Sequence, residues 1–358
     1  WSLAPTWDPN AIPPQTCFAE GTEITPELMD ELVSLRTGGD PFSERFNVNG
    51  SRNGGQLNTP VVLTYSYVPD GTPMTGGPMH SGDRVIMLPD VQSSLFSNLD
   101  GRFGGNRELW QAMMDSVFAR YSELTGITFL RVGDDGAGFP ASPGTPGLRG
   151  DIRIAMRNLD GSGRVLAFAG THVTLDAEEN WGNYAGTFIM LRNVLSHEVG
   201  HTLGLGHVCP LTTTKLMEPI FTPAFDGPRH DDLRALHRLY GDAFEPDNSA
   251  ATAAPMTESL PQTSFTFFDY PYADANPGAT TASLSGGLDQ DWYRSFVGAR
   301  MPVSVTVTPV GTIYDDSDQN GDGSCSAGNP INSLTAARLA VSLSAADGTL
   351  LASYGKPL

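Results

Sequence analysis

Apolar side chains recur every three or four residues along two stretches of the chain, which predicts two long amphipathic helices. The first helix should run from Arg107 to Leu124. Its apolar positions follow one another at intervals of four: Leu109, Met113, Val117 and Tyr121. The second helix is indicated by a further apolar set: Leu191, Val194, Leu195, Val199 and Leu203. An ordinary buried helix would satisfy this second pattern, so the spacing alone assigns it no function.

Shorter runs of β-branched and aromatic residues predict strands around these helices. Before residue 244 the predicted strands are residues 61–67, 127–132, 151–156 and 165–169. After it, strand-like runs alternate with turns rich in Gly, Pro, Asn and Asp, which predicts a small β-sandwich. These later runs are residues 264–268, 291–297, 303–308 and 338–343. A short helix is predicted after Thr25-Pro26, and a closing helix from His230 to Tyr240.

Three histidines and a glutamate lie close together at the end of the second predicted helix. The stretch reads H-E-x-x-H-x-x-G-x-x-H, from His197 to His207. His197 and His201 share one helix face, where two imidazoles can take two corners of a Zn²⁺ tetrahedron at about 2.0–2.1 Å. Gly204 suits a helix end, because glycine adopts a left-handed backbone at little cost, so the chain can bring His207 back as a third ligand. Three ligands leave one position open, as in a catalytic zinc site.

This stretch resembles the zinc signature of the metzincin metallopeptidases. Metzincins have a methionine in a tight turn beneath the metal, which supports the site without donating to it, and Met217 lies at a suitable distance downstream. Two metzincin groups have a tyrosine two residues after that methionine, where this chain has Pro219. Adamalysins have an aspartate after the third histidine, where this chain has Val208. The matrixin group is the best match, and the resemblance covers residues 60–243.

The resemblance implies an α+β fold, with a metzincin catalytic domain of twisted mixed sheet and long helices followed by a small all-β sandwich domain. It implies a secreted zinc endopeptidase, with Zn²⁺ held by His197, His201 and His207. Glu198 would be the general base that takes a proton from the attacking water. Protein or peptide substrates would bind in extended form along a free sheet edge at residues 165–169.

A structural calcium ion is also implied by the resemblance. Residues 175–181 are similar to the matrixin Ca²⁺-binding stretch, and Asp176 and Glu179 fall on its acidic ligands. Carboxylate oxygens are the ligands that Ca²⁺ prefers, although a solvated acidic turn stays the alternative. The second, structural zinc of matrixins is not expected, because Thr174 stands where its histidine would be and His172 is only nearby.

Residues 1–57 are predicted to form an N-terminal extension, either the remnant of a pro-segment or a structural wrap around the catalytic domain. Matrixin pro-regions can block the zinc with a cysteine, but the residues around Cys17 do not match their motif. The three cysteines allow at most one internal disulfide. A Cys17–Cys209 bridge is favoured over a blocking role for Cys17, with Cys325 left over, although the sequence leaves the pairing open.

The composition of the chain limits the cellular compartments and the binding partners that we expect. The formal net charge is −19, which argues against nucleic acid and anionic membranes as partners. Forty glycines and 27 prolines favour a loop-rich, secreted, extracellular protein, and we expect a monomer. No apolar run approaches the roughly 20 residues of a membrane span. The sequence starts at Trp1 without a signal peptide, as expected of a chain already trimmed.

Three regions are therefore predicted: the extension at 1–57, the peptidase domain at 58–243 and the sandwich at 244–358. Residues 245–248 and 289–293 of the last region resemble the pre-peptidase C-terminal domain of many secreted bacterial peptidases, here expected to lack its final strands. Residues 316–321 match the first half of an EF-hand loop, but Ala327 at the twelfth position predicts a turn instead.

Two alternative functions stay open. The first is a zinc hydrolase that acts on another class of substrate, and the predicted peptide-binding edge argues against it. The second is a non-catalytic zinc-binding protein of adhesion or interaction. The presence of all four side chains of the zinc signature argues against this second alternative.

Overall fold

The protein is described from a computed structural model. The residues that it describes are 15–22, 25, 57–81, 84–182, 187–255, 290–296, 305, 312–317, 320, 324–332, 335 and 340–355. The helix predicted after Thr25-Pro26 and the strand predicted at 264–268 lie outside these residues. Only residue 305 of the strand predicted at 303–308 lies within them.

Among the described residues, ten strands precede the second long helix. In chain order they are β1 (Gln15–Phe18), β2 (Val61–Tyr67), β3 (Pro73–Met74), β4 (Gly77–Ser81), β5 (Arg84–Leu88), β6 (Val91–Gln92), β7 (Ile127–Arg131), β8 (Ile152–Arg157), β9 (Val165–Ala169) and β10 (Val173–Asp176). Six of them form one mixed sheet in the order β1-β9-β10-β8-β2-β7. The pairs β10–β8, β8–β2 and β2–β7 are parallel, whereas β9 is antiparallel to β10. This arrangement confirms the predicted mixed sheet of an α+β fold.

In the described part of the chain, four helices accompany this sheet. They are α1 (Leu95–Arg102), α2 (Arg107–Leu124), α3 (Ile189–Thr202) and α4 (His230–Tyr240). The bounds of α2 and α4 agree with the predictions, and α3 is the predicted histidine-bearing helix. The main apolar core includes Trp110 and Val117 of α2 and Leu195 of α3. The Tyr121 hydroxyl on α2 donates to the Ser196 carbonyl on α3 at 2.7 Å, so the helix that supports the site is held directly against its neighbour. Among the described residues, no helix has the length and apolar character to cross a membrane.

The sheet edge at β9 differs from its prediction. The sequence predicted a free edge there, but β1 pairs with β9 in antiparallel orientation, from Gln15 opposite Ala169 to Cys17 opposite Ala167. An unpaired edge strand leaves a row of N–H and C=O groups that another extended segment can satisfy. Here a segment of the same chain does so. The prediction of a free edge is therefore wrong for the chain with β1 in place.

The β4–β5 hairpin contributes to a second, smaller apolar cluster. Its buried members come from β1, the hairpin, the β8–β10 region and the segment after α3: Phe18, Met79, Leu88, Leu159, Val165 and Cys209. Cys325 packs against this cluster. The cluster thereby joins five parts of the chain.

The disulfide joins Cys209 to Cys325, and Cys17 is a free, buried thiol. The favoured Cys17–Cys209 pairing is therefore wrong. The physical reason is that Cys325 is brought next to Cys209, while the Cys17 side chain lies among the side chains of the main core. Local sequence carries no information on this approach, because 116 positions separate the bridged residues.

The C-terminal region contributes three two-stranded sheets among the described residues. Their strands are β11 (Ala254–Pro255), β12 (Tyr293–Arg294), β13 (Ile313–Asp316), β14 (Asn329–Asn332), β15 (Val341–Ser344) and β16 (Leu350–Tyr354). The strands predicted at 291–297 and 338–343 overlap β12 and β15. The EF-hand-like stretch starts at the end of β13 and lies partly outside the described residues. The β13–β14 hairpin carries Tyr314, whose hydroxyl accepts a hydrogen bond from Arg234 of α4 at 2.8 Å.

We expect His237 to make the fold sensitive to acid. This side chain is 4% exposed, its Nε2 lies 2.5 Å from the Leu124 carbonyl, and burial lowers its pKa to about 4. Below its ordinary pKa of about 6.5 the unfolded chain binds a proton that the folded chain refuses. The free energy of unfolding should therefore fall by about 3 kcal/mol between pH 7 and 4 from this group alone.

Denaturant unfolding at several pH values tests this expectation with His237→Gln, which keeps an N–H donor for the Leu124 carbonyl but does not titrate. The variant should lose less stability on acidification than the unmodified chain, by about 3 kcal/mol. Other acid-sensitive groups contribute equally to both proteins, so their effect cancels in the difference. Two parallel stability curves would show that His237 is not the group responsible.

Candidate active site

The spacing of the histidine motif brings its side chains together at the end of α3. His197, Glu198 and His201 lie on the last turns of this helix, and all three are buried. The chain then turns at Gly204, whose φ of 103° is in the region that favours glycine. This turn returns His207 to the same place, as the sequence predicted.

The three imidazoles converge through their Nε2 atoms. The distance is 2.9 Å from His201 to His197, 3.2 Å from His201 to His207 and 3.2 Å from His197 to His207. Nitrogens that bind one tetrahedral Zn²⁺ at about 2.0–2.1 Å are about 3.3 Å apart, because that is the edge of the tetrahedron. The triad therefore fits a zinc ion.

Backbone carbonyls orient two of these rings. The Nδ1 of His197 donates to the Leu216 carbonyl at 2.7 Å, and the Nδ1 of His201 donates to the Leu205 carbonyl at 2.8 Å. These bonds place the proton on Nδ1 and leave the Nε2 lone pair for a metal. Burial lowers the pKa of His197 to about 4 and lowers that of His201 well below its usual value. Both rings are thus neutral, as metal ligands must be.

Glu198 is buried beside the triad without a hydrogen bond. Neither of its carboxylate oxygens has a hydrogen-bond partner among the described residues. Burial raises the pKa of this carboxyl well above its usual value. A buried carboxylate left without a protein partner requires an explanation, and a site for a cation and a reacting water provides one.

The methionine turn lies directly beneath α3. An ideal Cβ on Gly200 would lie 2.6 Å from the Met217 sulfur, so only glycine at this helical position allows so close an approach. The Asp232 carboxylate of α4 accepts hydrogen bonds from the backbone N–H groups of Leu216 and Met217 at 3.0 and 3.3 Å. The turn is therefore held from both sides, and the same turn supplies the carbonyl that orients His197.

Two further residues fix this turn, and the sequence analysis missed both. The Glu218 carboxylate accepts from the backbone N–H groups of Thr213 and Thr214 at 2.7 and 3.0 Å. The buried Lys215 ammonium lies 3.8 Å from that carboxylate and donates to the Asp315 carbonyl of β13 at 2.6 Å. No motif marks this pair, because the partner of Lys215 is a backbone atom distant in sequence.

A pocket opens beside His197. Its lining comes from β1, α3 and the segment after the methionine turn: Cys17, Asn193, Val194, His197, Leu216, Ile220, Phe221, Thr222 and Phe225. The Asn193 amide donates to the Phe225 carbonyl at 2.6 Å and to the Thr222 carbonyl at 3.1 Å. The side-chain Oδ1 of Asn193 accepts a hydrogen bond from the Gly227 N–H at 2.6 Å. One side chain of α3 thus fixes the wall of this pocket.

The predicted calcium residues lie against the loop of residues 159–163. The Asp176 carboxylate accepts from Leu159 N–H at 3.1 Å and Glu178 N–H at 3.0 Å, and its other oxygen has no hydrogen-bond partner among the described residues. Burial raises its pKa to about 7. Burial also raises the pKa of Glu179, which accepts from Gly163 N–H at 2.5 Å. His172 is engaged elsewhere, since its Nδ1 accepts from Arg153 N–H at 3.2 Å.

Cys17 lies next to His197 and Glu198. Ligand atoms of Cys17, His197 and Glu198 all lie within 4.8 Å of one another. Burial and the nearby Glu198 carboxylate raise the pKa of the Cys17 thiol. The sequence analysis weighed a blocking role for Cys17 but favoured a bridge to Cys209, whereas the pairing of β1 with β9 brings Cys17 to the site.

A methionine turn beneath three converging imidazoles is the layout of metzincin zinc metallopeptidases, and this domain belongs to that class. Within the class it is a matrixin domain, because residues 104–241 match the sequence model of that family. The predicted resemblance is thereby confirmed for the peptidase region. The match ends at residue 241, so the resemblance of the C-terminal region to a pre-peptidase C-terminal domain stays a prediction.

Several metallopeptidases are similar to this chain. Human matrix metalloproteinase-19 is 34% identical over 180 residues, which cover 42% of this chain and 31% of that protein. Karilysin of Tannerella forsythia is 26% identical over 187 residues, covering 48% and 37%. Interstitial collagenase of Bos taurus is 28% identical over 262 residues, covering 69% and 49%. The chain thus spans less than half of the length of each of these relatives.

Proposed function

We propose that the chain is a secreted, zinc-dependent endopeptidase. The single observation that carries this proposal is the convergence of the three Nε2 atoms next to the unpartnered, buried carboxylate of Glu198. A structural zinc site would have four protein ligands and would need no carboxylate beside it. The matrixin match supports the same class of reaction.

The roles of the side chains follow from their positions. His197, His201 and His207 would hold the zinc ion, which supplies a Lewis acid that polarises the scissile carbonyl and lowers the pKa of a water molecule. Glu198 takes the proton of the attacking water and returns it to the leaving amine. Its burial raises its affinity for that proton, so it can hold the proton between the two transfers. The Leu216 and Leu205 carbonyls hold the imidazole rings of His197 and His201 in a fixed orientation.

The substrate would be an extended stretch of protein or peptide. The groove between β9 and residues 219–221 has backbone hydrogen-bonding groups on both sides, which β1 occupies in this structure. An extended peptide in place of β1 could use the same groups as a strand added to a sheet edge. The pocket beside His197 would receive one side chain next to the cleaved bond. Its apolar walls, which include Val194, Leu216 and Phe221, favour an apolar side chain.

A Ca²⁺ ion held by Asp176 and Glu179 belongs to the same proposal. Two buried carboxyls with raised pKa values lie against one loop, and a cation would stabilise their charged forms. The support is the free oxygen of Asp176, which is buried and has no hydrogen-bond partner among the described residues. Chelation of Ca²⁺ should lower the melting temperature if the ion is present.

The proposal also covers the location, the source and the oligomeric state of the protein. We propose an extracellular, bacterial protein that acts as a monomer and does not bind nucleic acid, on the basis of its acidic composition and its similarity to karilysin of Tannerella forsythia. The division into regions 1–57, 58–243 and 244–358 is proposed together with these features. The Cys209–Cys325 bridge supports an oxidising compartment.

Cleavage of unfolded casein tests the proposed function. The chain and a Phe18→Asp variant, in which β1 is weakened, are incubated with casein in the presence and absence of a zinc chelator. We expect the Phe18→Asp variant to produce fragments in the absence of chelator and none in its presence, and we expect its activity to recover when zinc is restored. Cleavage that persists unchanged under chelation would contradict the zinc mechanism.

A further inference from the structure

The β13–β14 hairpin lies beyond the matrixin match and nevertheless contacts the segment that leads into the methionine turn. The match covers residues 104–241, whereas the hairpin runs through residues 313–332. The Asp315 N–H donates to the Thr214 hydroxyl at 3.3 Å, and the Asp315 carbonyl accepts from the Lys215 ammonium at 2.6 Å. Both backbone groups of one hairpin residue are therefore bonded to this segment.

Two further attachments hold the same hairpin against the peptidase domain. Tyr314 is buried, its hydroxyl accepts from Arg234 of α4, and its ring centroid lies 6.0 Å from that of His230. The Cys209–Cys325 bridge joins the hairpin to the chain two positions after the third histidine of the motif. The hairpin is thus fastened on both sides of the methionine turn.

The Lys215 ammonium is buried between the hairpin and the turn. Its side chain is fully shielded from solvent, and removal of an ammonium from water is costly unless its donors find partners. Besides the Asp315 carbonyl, the Pro210 carbonyl lies at 3.4 Å and the Glu218 carboxylate at 3.8 Å. An apolar side chain of the same length would fill this space without the desolvation cost. What the charge adds is a set of directional bonds across the contact.

The carbonyl that orients His197 belongs to the residue directly after Lys215. This residue is Leu216, and the His197 Nδ1 donates to its carbonyl at 2.7 Å. Bonds of this kind fix the tautomer and the ring orientation of a metal-binding histidine. The Met217 carbonyl also accepts from the Val208 N–H at 3.2 Å, directly after the third histidine. A displacement of the turn would therefore be transmitted to two of the three imidazoles.

We propose that Lys215 is a positioning residue, which fastens the methionine turn to Asp315 of the β13–β14 hairpin and thereby sets the orientation of the His197 ring. The working active site then includes the hairpin, although the hairpin lies outside the matrixin match. Lys215 acts through Leu216 and the turn, and not by contact with zinc or substrate. This inference rests on the proposed function, since it extends the same site.

The turn has a second anchor, so removal of the ammonium should shift it without unfolding the domain. The Asp232 carboxylate of α4 holds the Leu216 and Met217 N–H groups from the other side. The disulfide still tethers the hairpin when Lys215 is changed. We therefore expect Lys215→Met, which keeps the length of the side chain and loses its donors, to give a folded protein.

Zinc affinity tests the proposal without any measurement of activity. In competition with a chromogenic chelator, Lys215→Met should bind zinc about 10- to 100-fold less tightly, which is the usual cost of losing a group that supports a metal ligand. Arg153→Met is the matched control, because Arg153 on β8 is also a fully buried cation and pairs with Asp134 at 2.8 Å. This control should lower the melting temperature and leave zinc affinity unchanged. Unchanged affinity in Lys215→Met would overturn the proposal.

The visible absorption spectrum of the Co²⁺-loaded protein reports on the ligand geometry itself. The bands of Co²⁺ depend on how its ligands are arranged, so a rotated His197 ring should change them in Lys215→Met. The Arg153→Met spectrum should superimpose on that of the unmodified chain. A merely structural role for Lys215 would lower stability and leave the bands in place, and that result would contradict the proposal.

A second variant tests whether Lys215 acts through the hairpin. Tyr314→Ala loosens the hairpin at α4 without a change in the turn, and it should also lower zinc affinity. The double variant Lys215→Met/Tyr314→Ala should lose less affinity than the product of the two separate factors, because both changes act through one contact. Two factors that multiply fully would show that Lys215 acts independently of the hairpin, which would overturn the proposal.

Peptide cleavage separates this inference from the proposed function. In the Phe18→Asp background, Lys215→Met should lower kcat on a fluorogenic peptide more than it changes KM, because a misplaced ligand displaces the reacting groups. If zinc affinity falls as expected and neither protein cleaves any peptide, the role of Lys215 stands and the proposed endopeptidase activity is wrong. If both cleave the peptide with equal kcat and bind zinc equally, the endopeptidase stands and the role of Lys215 is wrong.

Discussion

Replacement of Glu198 by glutamine should abolish turnover and leave the metal site intact. In the Phe18→Asp background, Glu198→Gln should lower kcat on peptides by about 10²- to 10⁴-fold, which is the usual contribution of a general base. Glutamine has nearly the same shape but cannot take a proton from water. The residue is not among the three that converge through Nε2, so zinc content should not change.

Glu108→Gln is the matched control for this result. Glu108 lies in the exposed first turn of α2, away from the site, and the same chemical change there should leave kcat unaltered. Steady-state kinetics on one fluorogenic peptide and metal analysis of the same samples provide both readouts. Full activity of Glu198→Gln would show that another group is the base.

Loss of the Cys209–Cys325 bridge should be the most damaging change to stability. The bridge closes a loop of 116 residues in the unfolded chain, and its removal should lower the free energy of unfolding by about 2–5 kcal/mol. The double variant Cys209→Ser/Cys325→Ser avoids an unpaired reactive thiol. Ser326→Ala, in the same hairpin and exposed, is the matched control and should be neutral.

The same double variant should also bind zinc less tightly. Cys209 follows His207 by two positions, and the hairpin that bears Cys325 also accepts the hydrogen bond of Lys215 through Asp315. Without the bridge, the third ligand and the methionine turn lose a support on one side. Zinc transfer to a chromogenic chelator should therefore be faster in the double variant than in Ser326→Ala. Equal transfer rates would show that the hairpin does not support the site.

The sequence predicted the parts of this protein that depend on local spacing. Helices α2 and α4 follow from apolar periodicity, and the triad follows from residues within one helix and one turn. The contact of Asp232 with the methionine turn is likewise made between neighbouring segments, since α4 follows the turn closely in sequence. Such features need no knowledge of distant contacts.

Most of the features that the sequence did not predict are made between distant segments, whereas Glu218 bonds locally to Thr213 and Thr214. The pairing of β1 with β9 and the bridge from Cys209 to Cys325 both depend on how the rest of the chain folds. The sequence allowed a disulfide between Cys17 and Cys209, because a count of cysteines does not specify which of them form a bond. The smaller apolar cluster that contains Phe18 is likewise formed by separate parts of the chain, and none of them carries a recognisable motif.

Zinc content is the measurement that tests the central claim most directly. Purified chain, exposed to zinc and then freed of loose metal, is analysed for zinc per molecule beside a His207→Ala variant. We predict one tightly held zinc ion in the chain and a much weaker hold in the variant, because one of three converging Nε2 ligands is missing. Equal zinc retention by the two proteins, or none by either, would contradict the assignment of this site.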